Sequence, residues 1–489
     1  MKNRYDVIII GGGVIGAAIG YTLSKYKIHT LIVEKNIDVA FGVSKANSGI
    51  IHPGFHHKLD TLKSKLEVWG NLLYTKLHKE LKFPFKRNGA VVVAFNDDEM
   101  KIIEQLYENG IKNEVPGIEF CNRERILKLE PYINKDVIGG IYAPTAGIIE
   151  PYKFVFSLIE FSLENGVDLK REFKVTNVDK NSDNSYTLYS DNGDKVTGRY
   201  IINAAGLYAD EVSKIFNAEK FHIRPRKGEE FVLDKEFSSY INHTIYPVPG
   251  KISKGVLIIP TVEGTVMVGP TADFVESKED TTTDKENLRK VFNSARRLIP
   301  SVSEKYIITS FAGLRPVKED SEDFYIKISE KIENFIQVAG IQSPGLTAAP
   351  AIGEYVKELL LKLGIKLEEK LEFKNDDKAN MFEVRHLEYD QIEDVWSNNH
   401  KYGNIICRCE MVSEAEIIEA IKRGHTTLDG IKFYTRAGMG RCQGGFCGSR
   451  ILKLIEKYAH IKFTEITKKG KGSEIVKGKI GEKLNDQKR

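Results

Sequence analysis

Three glycines near the start of the chain and four cysteines near its end are the residues whose spacing points most directly to chemistry. Gly11, Gly13 and Gly16 form G-x-G-x-x-G inside YDVIIIGGGVIGAAIG. In such a turn the first glycine permits a sharp reversal, the second lets backbone approach a pyrophosphate, and the third lets helix pack on strand. Gly13, Val14, Ile15 and Gly16 then offer the unpaired amides and positive dipole end of a helix to the phosphates. Glu34, with Lys35 beside it, follows the next apolar run. A carboxylate about 20 residues past the glycines binds ribose hydroxyls and repels a 2′-phosphate, which disfavours NADP. Glycine-rich helix entries without a ligand also exist, but here strand, turn, helix, second strand and acidic residue fall in order.

The cysteines pair as Cys407-x-Cys409 and, further on, Cys442-x-x-x-x-Cys447, in a stretch rich in glycine (Gly438, Gly440, Gly444, Gly445). Four thiolates in a small module hold zinc or an iron-sulfur cluster. Zinc ribbons space their pairs as C-x-x-C, and this spacing differs; an unmetallated remnant is the third alternative. The fifth cysteine, Cys121, falls in a polar pattern that reads as a loop, and is taken as a bystander thiol.

Single residues carry weaker signals. His52 follows two isoleucines, where a histidine is more often structural than catalytic. His56 and His57 precede Lys58 and read as a solvated loop rather than a metal site. Arg315 offers a planar fork that suits phosphate or carboxylate, and Lys254 is a second candidate cation, although each alone could be a surface charge.

The elements that must position these groups follow from periodicity. Val7–Ile10 and Thr30–Val33 read as buried parallel strands flanking a helix. Residues 66–81 have helical spacing, and 88–95 (NGAVVVAF) read as a strand returning to the nucleotide sheet. Short strands are expected within 167–178 and 186–189, then RYIINAAG at 199–206. Residues 231–273 carry strands without alternating helices, as a substrate domain with an antiparallel sheet would. Residues 285–298 read as helix, 306–316 as strand, and 335–355 as strand, loop and helix. Residues 368–399 are polar and charged, with few apolar anchors, and read as a linker. Ser413-x-x-Glu416 is a capping box opening a helix that Gly424 stops.

At 489 residues with 41% hydrophobic and 29% charged residues, the chain is a globular composition too long for one core. A net charge of +4 with scattered Lys and Arg indicates neither nucleic-acid binding nor a polybasic anchor. The first apolar run is short and broken by glycines, neither a secretory segment nor a transmembrane segment, so a cytoplasmic protein is expected.

The segment SKANSGIIHPGFHHKLDTLK at 44–63, with the opening fingerprint, 199–206 and 335–355, resembles the D-amino-acid-oxidase-like (DAO) flavoproteins. Within them it is most similar to glycerol-3-phosphate oxidases and dehydrogenases, followed by 2-hydroxyglutarate oxidases. The resemblance spans about 1–365 and implies an α/β fold: a Rossmann-like FAD-binding domain (near 1–85, 145–215 and 325–365) with an antiparallel-sheet substrate domain (near 86–144 and 216–324). It implies FAD contacts from Ser44, Asn47, Ser48, Gly49, Ala205 and Gly206, from the Val175 backbone at the adenine, and from Ser343, Pro344, Gly345, Leu346 and Thr347 at the flavin pyrimidine edge. His52 would face the substrate and Arg315 its anionic group. Lys45 departs from relatives that have histidine there. The cysteine spacing resembles the bacterioferritin-associated-ferredoxin-like (BFD-like) [2Fe-2S] domain, expected as a small helical module at 401–460 after a linker at 366–400 and before a tail at 461–489.

The resulting expectation is an FAD-dependent dehydrogenase acting on a small anionic alcohol, most closely sn-glycerol 3-phosphate. His52 would be the base, and Arg315 and Lys254 the anion clamp. Oxidases that reduce oxygen directly need no cluster, so the C-terminal module argues for an electron-accepting protein subunit or quinone, with peripheral membrane contact through a partner. A 2-hydroxy acid or amino acid substrate competes in the same site. A non-catalytic electron-transfer subunit is the alternative of another class, and it has no need of a base and clamp beside the flavin.

Overall fold

Val7, Ile8 and Ile9 are completely buried, as a strand covered by helices on both faces requires. Their strand, Arg4–Ile10, runs parallel between Thr30–Val33 and Lys195–Asn203, with Ile9 opposite both Ile32 and Ile202. Asp168–Lys170 extends the sheet on one side, parallel to Thr30–Val33. On the other side Lys195–Asn203 is bordered by two elements. Phe335–Ala339 pairs with its end in parallel, and the antiparallel hairpin Val175–Lys180/Tyr186–Ser190 pairs with its beginning. Tyr325–Ile328 completes eight strands. Helix Val14–Leu23 packs against both Pro151–Glu164 and Gly345–Lys362. Glycine is needed at the closest crossing: a Cβ on Gly353 would lie 2.8 Å from the Ala18 carbonyl oxygen.

These coordinates are a computed structural model, and they describe residues 4–250, 253–374 and 383–478. A second sheet of nine strands holds the long antiparallel pair Ile223–Leu233/Ile307–Lys318 at one side and Glu119–Asn122 at the other edge. It is mostly antiparallel, but Thr244–Pro247 runs parallel to Ala90–Ala94. The strand pattern of 88–95 was read as returning to the nucleotide sheet, whereas the family resemblance put 86–144 in the substrate domain; the strand belongs here, because Val91 and Val93 bury one face against Ile245 and Ile258 while Val92 packs the opposite face. Cys121 also departs from its loop reading. It is a buried strand residue, 1% exposed, and burial pushes its thiol up to about 12. A small three-stranded sheet joins Ile50–Ile51, Phe85–Lys86 and Gly147–Ile149.

Contacts divide the chain into two units, Met1–Lys35 with Val39–Ala379, and Asn380–Arg489 with Asn36–Asp38. Within the expected linker, Tyr389–Asn398 forms a helix opened by a Glu388/Gln391 capping box, with no buried residue. Residues 375–382 of that linker and 479–489 of the tail lie outside the described residues. The second unit contains the hairpin Ile405–Cys407/Val412–Ser413 and the helices Glu414–Lys422, Leu428–Thr435 and Gly448–Ala459. Ser413 and Glu416 form the expected capping box, and Gly424 has φ +90. No helix among the described residues is long and apolar enough to cross a membrane.

Candidate active site

The nucleotide cradle is built from turns that touch. Gly11 has φ +117, and a Cβ there would lie 2.5 Å from the Ala204 carbonyl oxygen. The 11–16 turn and the Ala205-Gly206 turn are therefore seated against each other. Gly206 also takes a left-handed φ of +57. The Glu34 carboxylate, 7% exposed, accepts the Gly12 amide at 2.7 Å, which fixes it at the end of its strand. Ser44 Oγ accepts the Val14 amide at 2.8 Å, beside Ile15 in the first turn of the helix. A Cβ on Gly13 would meet only Ser44 Oγ, at 3.2 Å, so backbone is open to a ligand there. Lys35 Nζ sits 3.4 Å from the Tyr208 ring centroid, and burial lowers its pKa. Val175 is 7% exposed and starts its strand. The Val14 amide, expected to be unpaired, is taken by Ser44, but a helix start with uncovered backbone at Gly13 and a buried, fixed carboxylate at the next strand end fits a dinucleotide such as FAD.

His52 is the point where three parts of the first unit meet. Its amide donates to Thr347 Oγ1 at 2.9 Å, its carbonyl accepts from Asn71 Nδ2 at 2.8 Å, and its ring is bracketed by two hydroxyls. Tyr246 Oη lies 3.0 Å from Nδ1 and Ser343 Oγ 3.3 Å from Nε2. Burial, then the charge on Lys254, holds the imidazole well below its ordinary pKa, so it is neutral. Pro344, Gly345 and Leu346 start the helix whose first turn carries Thr347, and the Leu346 carbonyl accepts from Tyr74 at 2.6 Å. On the other side Asn47 braces its own turn: its side chain donates to the Ser44 carbonyl at 2.8 Å and accepts the Gly49 amide at 2.9 Å. Lys45 lies over the Phe41 ring at 4.3 Å.

Buried charges lead away from this histidine: Lys254 acts on its ring, and Arg315 on both Lys254 and Glu230. Arg315 donates through Nη2 to the Thr271 carbonyl at 3.1 Å, and burial lowers it to about 10. Gly228, on the paired strand, leaves room for the guanidinium, since a Cβ there would lie 2.5 Å from Nη2. Ser48 Oγ donates to Glu230 Oε1 at 2.7 Å, and burial raises that carboxyl to about 7. Lys254 Nζ has no hydrogen-bond partner among the described residues, and burial lowers it to about 8. Glu67, 0% exposed, likewise has both oxygens unpartnered. His56 and His57 were expected in a solvated loop, and the structure overturns that. His56 packs on Phe55 and Tyr246 with both ring nitrogens buried and unpartnered, and burial lowers His57 to about 2. Sequence reasoning missed Tyr246, Glu67, Asn71 and Glu230. A signal existed for two of them: Lys63, Glu67, Gly70, Asn71 and Tyr74 form one buried helix face with charges where apolar residues belong.

In the second unit the four cysteines converge in two depths. Cys407 and Cys447 are each 1% exposed, whereas Cys409 is exposed and Cys442 half-buried, their sulfurs 3.7 Å apart. The hydrogen bond between Cys407 and Cys447 pulls the Cys407 thiol down to about 6 and pushes the Cys447 thiol up, so the two share a proton. Gly440 admits the close approach of the two cysteine loops, since a Cβ there would lie 2.2 Å from Cys409 Cβ. Arg436 and Glu410 form a buried pair at 2.9 Å beneath them. Four sulfur donors on glycine-supported loops fit an iron-sulfur cluster.

Comparison with known proteins matches two families to the chain. Residues 6–359 match the family described as FAD dependent oxidoreductase, and 405–457 match the BFD-like [2Fe-2S] binding domain. The chain is 40% identical to glycerol 3-phosphate dehydrogenase of Caloramator mitchellensis over 97% of its own length and 98% of that protein's. It is 24% identical to the mitochondrial L-2-hydroxyglutarate dehydrogenase of Arabidopsis thaliana, over 74% of this chain and 84% of that one. Among solved structures, dithionite-reduced L-alpha-glycerophosphate oxidase from Mycoplasma pneumoniae with FAD bound superposes with a TM-score of 0.73 at 33% identity. That match covers 77% of this chain and 98% of the other. The chain thus belongs to the DAO family of FAD-dependent oxidoreductases and carries a BFD-like [2Fe-2S] domain behind its catalytic unit.

Proposed function

We propose that the protein is a dehydrogenase that oxidises sn-glycerol 3-phosphate to dihydroxyacetone phosphate and passes the electrons through its [2Fe-2S] domain to a protein or quinone acceptor. The observation that carries this reading is a neutral, buried His52 held between Tyr246 and Ser343, with the cations Lys254 and Arg315 making no carboxylate hydrogen bond among the described residues. The glycerol 3-phosphate dehydrogenase relative, similar over nearly the whole length of both chains, supports the choice of substrate.

With its Nδ1 proton donated to Tyr246, His52 has Nε2 available to accept the proton of the C2 hydroxyl, which displaces Ser343. Arg315 and Lys254 hold the phosphate, Arg315 through its fork and Lys254 as a point charge. FAD, when bound, supplies the acceptor for the electron pair and hydrogen that leave C2. Its binding residues are Gly11, Gly13, Val14, Ile15, Gly16, Glu34, Lys35, Ser44, Asn47, Ser48, Gly49, Val175, Ala205 and Gly206, with Ser343, Pro344, Gly345, Leu346 and Thr347 at the ring. Cys407, Cys409, Cys442 and Cys447 hold the cluster, so residues 1–365 do the oxidation and 401–460 carry the electrons onward.

A carboxylate would also satisfy Arg315, so the deciding experiment is anaerobic bleaching of the bound flavin by a panel. Glycerol 3-phosphate should bleach it at the lowest concentration. Faster bleaching by 2-hydroxyglutarate, lactate or glycine would overturn the assignment.

A further inference from the structure

A base buried this deeply needs somewhere to send its proton. His52 sits well below its ordinary pKa, first through burial and then through Lys254, so the site disfavours a charge left on the ring. Its Nδ1 lies 3.0 Å from the Tyr246 hydroxyl. Burial raises the Tyr246 phenol well above its ordinary pKa, and the charge on the buried Glu67 carboxylate adds to that. Glu67 and Asn71 are one turn apart on helix Leu62–Leu81, and Asn71 holds the His52 carbonyl, so one helix face serves both ends of the path. Glu67 Oε1 and Oε2, Lys254 Nζ and both ring nitrogens of His56 are buried without hydrogen-bond partners among the described residues. So many unpartnered polar atoms in one buried place call for ordered water with two to four partners each.

We propose that Tyr246 and Glu67 form the proton exit of this site, Tyr246 taking the Nδ1 proton of His52 and passing its own through buried water to the Glu67 carboxylate. This rests on the reading of His52 as the base. The substrate O–H bond breaks and its proton goes to Nε2, while the C2 hydrogen leaves with the C–H electron pair for the flavin. The Nδ1 proton moves to the Tyr246 oxygen, the phenol proton moves to water, and a water proton moves to Glu67. No charge remains on the histidine.

The charged and titratable groups that face Glu67 are Lys254 from the loop before Leu257–Pro260, Lys63 one turn earlier on its own helix, and Tyr246. His56 and His57 face Lys254. Burial raises Glu67 to about 7 although both lysines pull it down, so it is poised to take a proton near neutrality. Lys63 continues the path outward: its side chain is 6% exposed, and its Nζ is 3.9 Å from the carboxylate of Glu322, which is 67% exposed.

The test uses the flavin-loaded protein and two isosteric variants, Glu67→Gln and Tyr246→Phe. Each should slow flavin reduction by saturating glycerol 3-phosphate about 10- to 100-fold, leave the substrate dissociation constant unchanged, and remove the ionisation near pH 7 from the rate profile. The double variant should be no slower than the slower single one, as members of one chain require. Independently of turnover, difference infrared spectra of the resting protein should show a protonated carboxyl band that titrates near pH 7 and is missing in Glu67→Gln. Unchanged rates and pH profile in both variants would overturn the exit path, as would additive losses in the double variant or the absence of the carboxyl band. Normal reduction in His52→Ala would instead remove the base itself, with the Glu67 band still present.

Discussion

The side chain of Thr347 accepts the backbone amide of His52 at 2.9 Å across 295 residues of sequence. Through this bond the start of helix Gly345–Lys362 sets the position of the histidine. Gly70 lets helix Leu62–Leu81 close on the same spot, since a Cβ there would lie 2.2 Å from the Thr347 carbonyl oxygen. The candidate base is therefore held by backbone and fixed hydroxyls rather than by a mobile loop, as catalysis by positioning requires.

Because His52 and Arg315 hold different parts of the substrate, their loss should separate kinetically. His52→Ala should slow flavin reduction at saturating substrate by roughly 10² to 10⁴. Arg315→Ala should mainly raise the substrate concentration needed, with a smaller change at saturation. Anaerobic stopped-flow measures both. A large loss at saturation in Arg315→Ala with unaltered affinity would move the anion clamp elsewhere.

Glu230 gives a stability signature with a definite sign. Burial raises its pKa from 4.5 to about 7. Below pH 4.5 the carboxyl is protonated in both folded and unfolded chains. Between 4.5 and about 7 the unfolded chain ionises while the folded one holds its proton, so stability is lost as pH rises, on the order of 1.4 kcal/mol per pH unit. Glu230→Gln keeps an oxygen to accept from Ser48 and cannot ionise. Its melting temperature relative to the parent should therefore increase between pH 5 and pH 7 and level off above. A constant difference across that range would show that Glu230 does not hold its proton.

The nucleotide half was legible because its signals are local. Gly11, Gly13, Gly16 and Glu34 announce themselves by spacing, and Ile9 lies between Ile32 and Ile202 as the apolar runs require. The capping box at Ser413 and Glu416 was equally local. The substrate side was less legible because its residues meet only after folding. Tyr246 reaches His52 from 194 positions away and Glu230 reaches Ser48 from 182. The strand Ala90–Ala94 carries no mark of which sheet it joins, and its place was settled by packing on both faces. His56 and His57 misled for a related reason: their polar types point outward, yet His56 packs against the rings of Phe55 and Tyr246, and burial reaches His57 as well.

Gly13→Val tests the cradle without disturbing the scaffold. A Cβ there meets only Ser44 Oγ at 3.2 Å, so the protein should fold, while the branched side chain fills the space where phosphates approach the helix start. Flavin affinity should fall at least about tenfold, equal to ~1.4 kcal/mol. Absorbance of the purified protein and titration of the apoprotein with FAD measure it. Full flavin occupancy in a folded variant would displace the nucleotide from the Gly11 to Glu34 site.

The two depths of the cysteines give the last prediction its form. Cys407 and Cys447 pair in the interior, and Cys409 and Cys442 approach to 3.7 Å at the surface. A sulfur pair at each depth suits a two-iron cluster, which Cys407, Cys409, Cys442 and Cys447 would hold and which would supply one-electron transfer. Cys442→Ser should therefore lose iron and sulfide together, because a cluster without one surface ligand is open to hydrolysis. The helix Gly448–Ala459 and the capped helix Glu414–Lys422 bury their own apolar faces, so the unit should keep its helical circular dichroism. Flavin reduction by substrate should persist, since none of the candidate substrate and FAD residues lies in the second unit, while delivery to the physiological acceptor should fail. Iron and sulfide analysis of anaerobically prepared protein, beside single-turnover and steady-state assays, separates these outcomes. Zinc without iron in the parent would replace the cluster by a structural site. Undiminished turnover with the native acceptor in Cys442→Ser would take the cluster out of the electron path.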